Sequence, residues 1–291
     1  DRQDDRDQER QFGNASARSH AHFSPEGARF PSSVKRPPVE PIPLGERSPR
    51  LAAVRALLQP KGRRAAGRFT VEGPTLLREA LAAGREPESV FATQAALPGL
   101  PPGLPVAPYL TSPRALARIS DLESPPGLVA VFPMVIERPE TLLDGGPILL
   151  LAGVGDPGNA GTLVRSAEIF GVERIVFGRG GVDPFAPKVV RATMGALFRV
   201  RLALAAAGEL VAAAAAAGYT LVAASGAGEP LAGFRFPDRS LLAIGGERRG
   251  TGWLPAADRA VAIPQKGHGE SLNAAVAGAI LLYVWSQQSP G

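Results

Sequence analysis

The 291-residue chain contains no cysteine, which removes disulfides, thiolate zinc sites, iron–sulfur clusters and cysteine nucleophiles together. Histidine is nearly as scarce. The three that exist are His20, His22 and His268, too few and too scattered for a metal cluster or a Ser-His-Asp triad, so no metal is expected. Long apolar runs are missing too: none reaches transmembrane length without Gly, Pro or a charge. The opening DRQDDRDQER lacks the basic start and apolar stretch of a signal peptide. A cytoplasmic protein without membrane association is therefore expected. What is present is 45% hydrophobic and 20% charged residues, the balance of a globular chain. Against 27 acidic residues stand 32 basic ones, a net charge of +5. That points towards a polyanion such as RNA, with an ordinary solvated basic surface as the equal alternative.

Residues 1–45 mix both charge signs with Gln, Ser and Pro, end in VKRPPVEPIPLGER and carry almost no apolar period, which predicts a disordered tail. From Ser48 the pattern becomes helical, with Leu51, Val54, Leu57 and Leu58 on one face and Ser48 as the candidate cap. LQPKGRRAAGRF then gathers Lys61, Arg63, Arg64 and Arg68. Extended FTVEG, helical TLLREALAAG, strand SVFAT, a Pro-rich connection, a helix near SPRALARIS and strand GLVAVFP complete a small α/β unit over 46–140. VIERPETLLDGG carries turn residues and little core, so a second domain is placed at 141–291. There, strands PILLLAGV, RIVFG, FRVRLAL, YTLVAAS, SLLAIGG and RAVAIP alternate with helices NAGTLVRSAEIFG, PKVVRATMGAL and GELVAAAAAAG. The closing helix is ESLNAAVAGAILLYVWSQQ. This alternation predicts a mostly parallel sheet covered on both faces.

Four features carry chemistry. Gly153, Gly155 and Gly158 spell G-x-G-x-x-G between a strand and a helix, the context of a dinucleotide loop. The next strand ends in Gly178 and Arg179, with no acidic residue for a ribose hydroxyl, so only an NADP variant fits. Pro157 removes a donor from the loop, and no tyrosine stands in a Tyr-x-x-x-Lys pair. Second, Asn159 lies at the loop-to-helix junction, a good capping position, and Arg165 follows six residues later. Third, SLLAIGGERRG ends a strand in Gly245 and Gly246, followed by Glu247. Glycines there let a flat ligand approach the backbone, although an ordinary tight turn reads the same. Fourth, in AIPQKGHGESLNAAVAGAILLYV a strand ends at Ile263, a loop follows, and Ser271 and Asn273 open an apolar helix. They either cap that helix or converge on whatever occupies the loop.

In order, DPGNAGTLVRSAEIFG, LLAIGGERRG and AIPQKGHGESLNAAVAGAILLY resemble the three motifs of the SpoU/TrmH family of RNA 2′-O-ribose methyltransferases, of the SPOUT class. The match spans about residues 147–287. The preceding SPRLAAVRALLQPKGRRAAGRFTVEGPTLLREAL resembles the substrate-binding domain of the ribosomal-RNA branch, itself similar to kink-turn-binding ribosomal proteins. The resemblance implies an α/β fold: a mostly parallel, trefoil-knotted methyltransferase domain behind a small α/β RNA-binding domain. It implies S-adenosylmethionine as cofactor, bound through Gly245, Ile263 and Leu272, with Gly246, Glu247, Gln265 and Asn273 lining the site. Arg165 matches the family's basic catalytic residue and Asn159 its neighbour, with Ser271 and Asn273 orienting Arg165 and the nucleotide. Lys61, Arg63, Arg64 and Arg68 would hold RNA. Family members are homodimers, so the basic residue can come from the partner protomer.

Methyl transfer from a sulfonium needs no covalent enzyme intermediate, metal or thiol, which suits this inventory. A guanidinium is a poor base, so the implied role for Arg165 is to hold phosphate and stabilise the developing alkoxide while the proton passes to a phosphate oxygen or water. Gln265 stands where Met is common, and Arg248 and Arg249 where small residues are usual. The substrate read from the resemblance is 23S ribosomal RNA. Transfer RNA under the same mechanism, and a noncatalytic RNA-binding or NADP-binding protein, are the alternatives.

Overall fold

A computed structural model describes residues 40–246, 250–252, 257–268 and 271–288. Residues 1–39, most of the predicted tail, and Glu247 lie outside that set. The tail ends earlier than the sequence suggests. Strand β1 (Ile42–Pro43) pairs in parallel with β4 (Pro108–Leu110), because a two-residue apolar pair finds a free sheet edge. With β2 (Arg68–Glu72), β3 (Ser89–Ala92) and β5 (Leu128–Pro133) they form a five-stranded sheet in the order β1-β4-β3-β5-β2, in which β5 runs against both neighbours. Helices α1 (Pro49–Ala56), α2 (Pro60–Ala66), α3 (Pro74–Ala82) and α4 (Pro113–Ala117) flank it. Helix α2 is the Lys-Arg segment that reads in sequence only as a basic run. Pro60 presets its first φ and left-handed Gly67 ends it.

A second, all-parallel sheet follows. Strands β6 (Ile148–Ala152), β7 (Arg174–Gly178), β8 (Arg201–Ala205), β9 (Thr220–Pro230), β10 (Ser240–Gly245) and β11 (Arg259–Ala262) lie in the order β11-β9-β10-β6-β7-β8. Both faces are covered, so β6 reads as the continuous apolar run ILLLA and is buried along its length. The helices are α5 (Pro157–Ile169), α6 (Pro187–Ala192), α7 (Ala207–Ala216) and α8 (Ala274–Ser286). Six of these eight described helices open on proline, whose missing N–H costs nothing in the first turn. Two predicted helices are shorter than expected. PKVVRATMGAL stops at Ala192 because Met194 and Gly195 take positive φ (50° and 94°), and Ala196–Phe198 form a separate 3-10 turn. The closing helix begins at Ala274, where Asn273 caps it.

One apolar core runs from Phe69, Leu77 and Phe132 beside the first sheet, through Phe185 and Phe198, to Leu163, Val189, Ile244 and Leu281 on the second. A smaller core covers the opposite face of the parallel sheet with α7, and a third packs α1 and α4 on the first sheet. The connection 135–146 has more core than its composition promised: Leu142 is fully buried and the Glu137 N–H donates to Leu202 of β8 at 2.8 Å.

Candidate active site

The parallel strands deliver their carboxyl ends to one edge of the sheet, the usual place for ligand loops in such folds. Gly245 ends β10 opposite Ala152 of β6. The next residue, Gly246, donates to the Ala152 carbonyl and accepts from Gly250 at 2.8 Å, closing a tight turn. The Thr251 hydroxyl fastens that turn to the Ala224 carbonyl of β9 at 3.1 Å. No side chain fits at either glycine. A β-carbon on Gly245 would fall on the Gly250 carbonyl and within 2.6 Å of the Thr251 nitrogen, and one on Gly246 would fall on the Gly153 carbonyl. By contrast Gly155, Gly250, Gly252 and Gly267 face open space. The carboxyl edge of the sheet thus carries bare main chain here, and the side chain of Ile263, just past the end of β11, is half-buried. Gln265 and Leu272 are exposed along the following loop.

At the start of α5 the structure corrects one expectation. The cap is Asp156, whose Oδ1 accepts from the Asn159 N–H at 2.7 Å, while Asn159 lies inside the first turn and is 8% exposed. Its side chain is turned to the start of α8. Asn273 Nδ2 donates to Asn159 Oδ1 at 2.9 Å, and Asn273 Oδ1 accepts from the N–H groups of Ala275 and Val276. One asparagine thus caps a helix and ties two motifs 114 residues apart. Ser271 is exposed, two residues ahead of the cap, and has no hydrogen bond among the described residues. The expectation for Glu247 falls outside the described residues.

Arg165 is exposed, and among the described residues it makes no hydrogen bond or ion pair. Six helical residues carry it about 9 Å along the axis from Asn159 and roughly 120° around it. It stands on the exposed side of α5, whereas Asn159 is buried. Helices α5 and α8 also carry exposed apolar side chains. Ile169 is 61% exposed, and on α8 Val276 and Tyr283 are 48% and 52% exposed, seven residues apart on one stripe that continues back to Leu272. Helices α5 and α8 pack through Gly278, where a β-carbon would land on the tip of Leu163.

The four basic residues predicted to hold RNA divide. Lys61 and Arg64 are exposed and unpaired among the described residues. Arg68 is exposed but bonded to Glu88. Arg63 is a correction: at 2% exposure its guanidinium is consumed by Asp183 (3.0 and 2.6 Å) and by the carbonyls of Leu57 and Leu58 (2.9 and 3.0 Å). Sequence reasoning also passed over exposed Arg47, Arg50, Arg55, Arg114 and Arg118 around α1 and α4. A signal was available, since seven basic residues and no acidic one occur from Arg47 to Val71.

Comparison with known proteins matches residues 146–283 to the SpoU rRNA Methylase family and residues 48–130 to the MRM3-like substrate binding domain. The 23S rRNA (guanosine(2553)-2′-O)-methyltransferase RlmP of Bacillus subtilis is 31% identical over 229 residues, covering 74% of this chain and 87% of that protein. Among solved structures, an AdoMet-bound rRNA methyltransferase from Sinorhizobium meliloti superposes with a TM-score of 0.74 at 26% identity, covering 86% of this chain and 98% of that one. The SpoU methyltransferase AviRb from Streptomyces viridochromogenes gives 0.72 at 26% identity, covering 83% and 97%.

Proposed function

Because the chain belongs to the SpoU rRNA methylase family, we propose that the glycine-rich carboxyl edge of its parallel sheet holds S-adenosylmethionine and that its substrate is 23S ribosomal RNA. The protein is an RNA 2′-O-ribose methyltransferase dependent on S-adenosylmethionine. The observation that carries the reading is the carboxyl edge itself: Gly246 bonded to β6 and Thr251 to β9 beside open glycine faces, with Asn159 and Asn273 joining the starts of α5 and α8. A nucleoside needs such a close backbone approach, and Ile263 offers an apolar contact for its base. Gly245, Gly246, Ile263, Gln265 and Leu272 are the residues assigned to the cofactor. A trefoil-knotted topology, implied by the family motifs, is part of the same reading.

When bound, the cofactor supplies an electrophilic methyl group on sulfur. The rest falls to the protein. Arg165 anchors the RNA phosphate and stabilises the alkoxide forming at the ribose 2′-oxygen, while the hydroxyl proton leaves to a phosphate oxygen or water. Asn159 and Asn273 fix the geometry of the corner, with Ser271 and Glu247 assigned to orient the nucleotide. With Arg165 on the exposed side of α5, the working site combines the glycine-rich edge of one copy with Arg165 of a second. The apolar stripe of Leu272, Val276 and Tyr283 with Ile169 is the surface on which two copies join. Lys61 and Arg64, with the arginines of α1 and α4, give the substrate face, and the cytoplasm is the proposed location.

Transfer of labelled methyl to unmodified 23S RNA, beside transfer RNA, tests this reading. Label at a ribosomal 2′-oxygen is expected, and label in transfer RNA alone would overturn the substrate. Arg165→Ala should lose transfer by about 10²-fold or more while cofactor affinity stays within about twofold. Normal turnover by that variant would remove its role.

A further inference from the structure

The segment 183–199 joins the basic face to the methyl-transfer helix through an unbroken set of bonds. From the first sheet and its helices, buried Arg63 grips Asp183, Glu79 accepts from Arg199 at 2.9 Å, and Asp121 accepts from Arg191 at 2.9 Å. Arg191 also stands 3.7 Å from the buried carboxylate of Glu72, which accepts the Asp121 N–H at 2.9 Å. Between these ties Phe69 packs on Phe185 and Phe198, with ring centroids 4.9 and 6.2 Å apart, and Phe132 packs on Phe198 at 5.3 Å. On its other side the segment is pressed into α5. Gly161 admits Ala192 so closely that a β-carbon would lie 3.0 Å from the Ala192 carbonyl carbon and the Val189 oxygen, and Arg199 bonds Glu168 at 2.7 Å. Helix α5 carries Asn159 and Arg165.

We infer that Arg191, with Asp121, and Arg63, with Asp183, are positioning residues that hold the RNA-binding face at a fixed span from α5, so that this span selects the nucleotide receiving the methyl group. The inference rests on the methyltransferase reading above. Its physical basis is that a reacting atom misplaced by about 1 Å can cost about 10²-fold in rate, and that packed interfaces with paired charges do not yield gradually.

The test uses the full chain and three measurements: cofactor affinity, RNA affinity, and single-turnover methyl transfer with the modified nucleotide mapped. Asp121→Ala is the mild variant, since Glu72 and Arg191 remain together. The stronger one is Asp121→Cys with Arg191→Cys, which a short bis-maleimide can bridge uniquely because the chain has no cysteine of its own. Before bridging, transfer at saturating RNA should fall by about tenfold or spread to neighbouring nucleotides, with both affinities within about twofold of the parent. Bridging should restore rate and position. Unchanged rate and position before bridging would overturn the inference. So would a rate loss that merely follows RNA affinity, or one that bridging leaves in place. Absence of transfer by the unsubstituted chain would instead sink the methyltransferase reading.

Discussion

Arg63→Ala separates a structural arginine from an RNA-binding one. The side chain is 2% exposed, and four of its five N–H donors are spent on one carboxylate and two carbonyls. Deletion strands the carbonyls of Leu57 and Leu58 and leaves Asp183 with only its bond from the Phe185 N–H. Breaking a buried ion pair costs about 3–5 kcal/mol, but Asp183 is 25% exposed and regains water, so its share lies at the low end. With the unpaired carbonyls and the lost packing of the stem, a loss of about 4 kcal/mol is expected. At about 2–4 °C per kcal/mol for a chain of this size, the melting temperature should drop by about 10 °C. Thermal and urea unfolding, both followed by circular dichroism, measure the two. The surface variants Lys61→Ala and Arg64→Ala should stay within about 0.5 kcal/mol of the parent. They should instead weaken RNA binding and lower its salt dependence by about one unit each. If Arg63→Ala unfolds at the parental urea concentration yet loses RNA affinity like its neighbours, the assignment of Arg63 to the protein interior is wrong.

Other expectations follow the same geometry. Gly245→Ala should abolish cofactor binding in calorimetry, because its β-carbon meets immovable backbone. Gly278→Ala meets only a flexible leucine tip and should cost about 1–2 kcal/mol, with cofactor affinity retained. Asn273→Ala removes a cap accepting from two N–H groups and the partner of Asn159, so about 2 kcal/mol of stability and most transfer activity should go together. A cap-restoring Asn273→Ser should recover the stability without the activity. Burial pushes the Glu137 carboxyl up, but hydrogen bonds from Arg201 and Thr141 outweigh it and leave it below its ordinary 4.5. Asp144 falls below its ordinary 3.8 as bonds from Arg201 and Arg174 likewise overcome burial. Both groups thus bind protons more readily when unfolded. Their contribution is complete above about pH 4.5 and is lost as pH falls through the lowered native values. Arg201→Gln should flatten the acid limb of a urea-midpoint curve between pH 6 and 3, and an unchanged limb would contradict the assignment. Val276→Asp should convert a dimer to monomers in sedimentation and abolish transfer, which addition of an Arg165→Ala chain should not restore.

The order of strands and helices was legible because burial imposes period: ILLLA, and RIVFG after its opening arginine, are continuous apolar runs in a sheet covered on both faces. The paired glycines at the end of β10 were legible as a place where backbone comes close, and what approaches them is the carbonyls of Gly250 and Gly153. What sequence hides is which partner a polar group finds. Asn159 has the composition of a cap, yet Asp156 takes that role because it precedes Pro157, leaving Asn159 free to meet Asn273 from the far end of the chain. Arg63 sits between exposed Lys61 and Arg64 and differs from them only by its angle on a seven-residue helix, which turns it towards Asp183, 120 residues away. Helix α6 ended early because Met194 and Gly195 adopt left-handed backbone to keep Gly195 against Glu79, a tertiary demand that overrides local preference.

The pairing of Glu137 with β8 bears on how the chain avoids sticking to its copies. An open parallel sheet has two edges, each a row of unpaired donors and acceptors able to recruit another strand. One edge here is β8, and the connection from the first sheet lies along it, with the Glu137 N–H on Leu202 and Arg201 clamped by Glu137 and Asp144. The other edge is β11, only four residues long, kinked by a register shift between Ala260 and Val261 and carrying Arg259 paired with Glu229. Residues 135–146 precede β8 in the chain, so during synthesis the cover is present before the edge it protects. Both edges of the parallel sheet are thus blunted against the addition of a further strand.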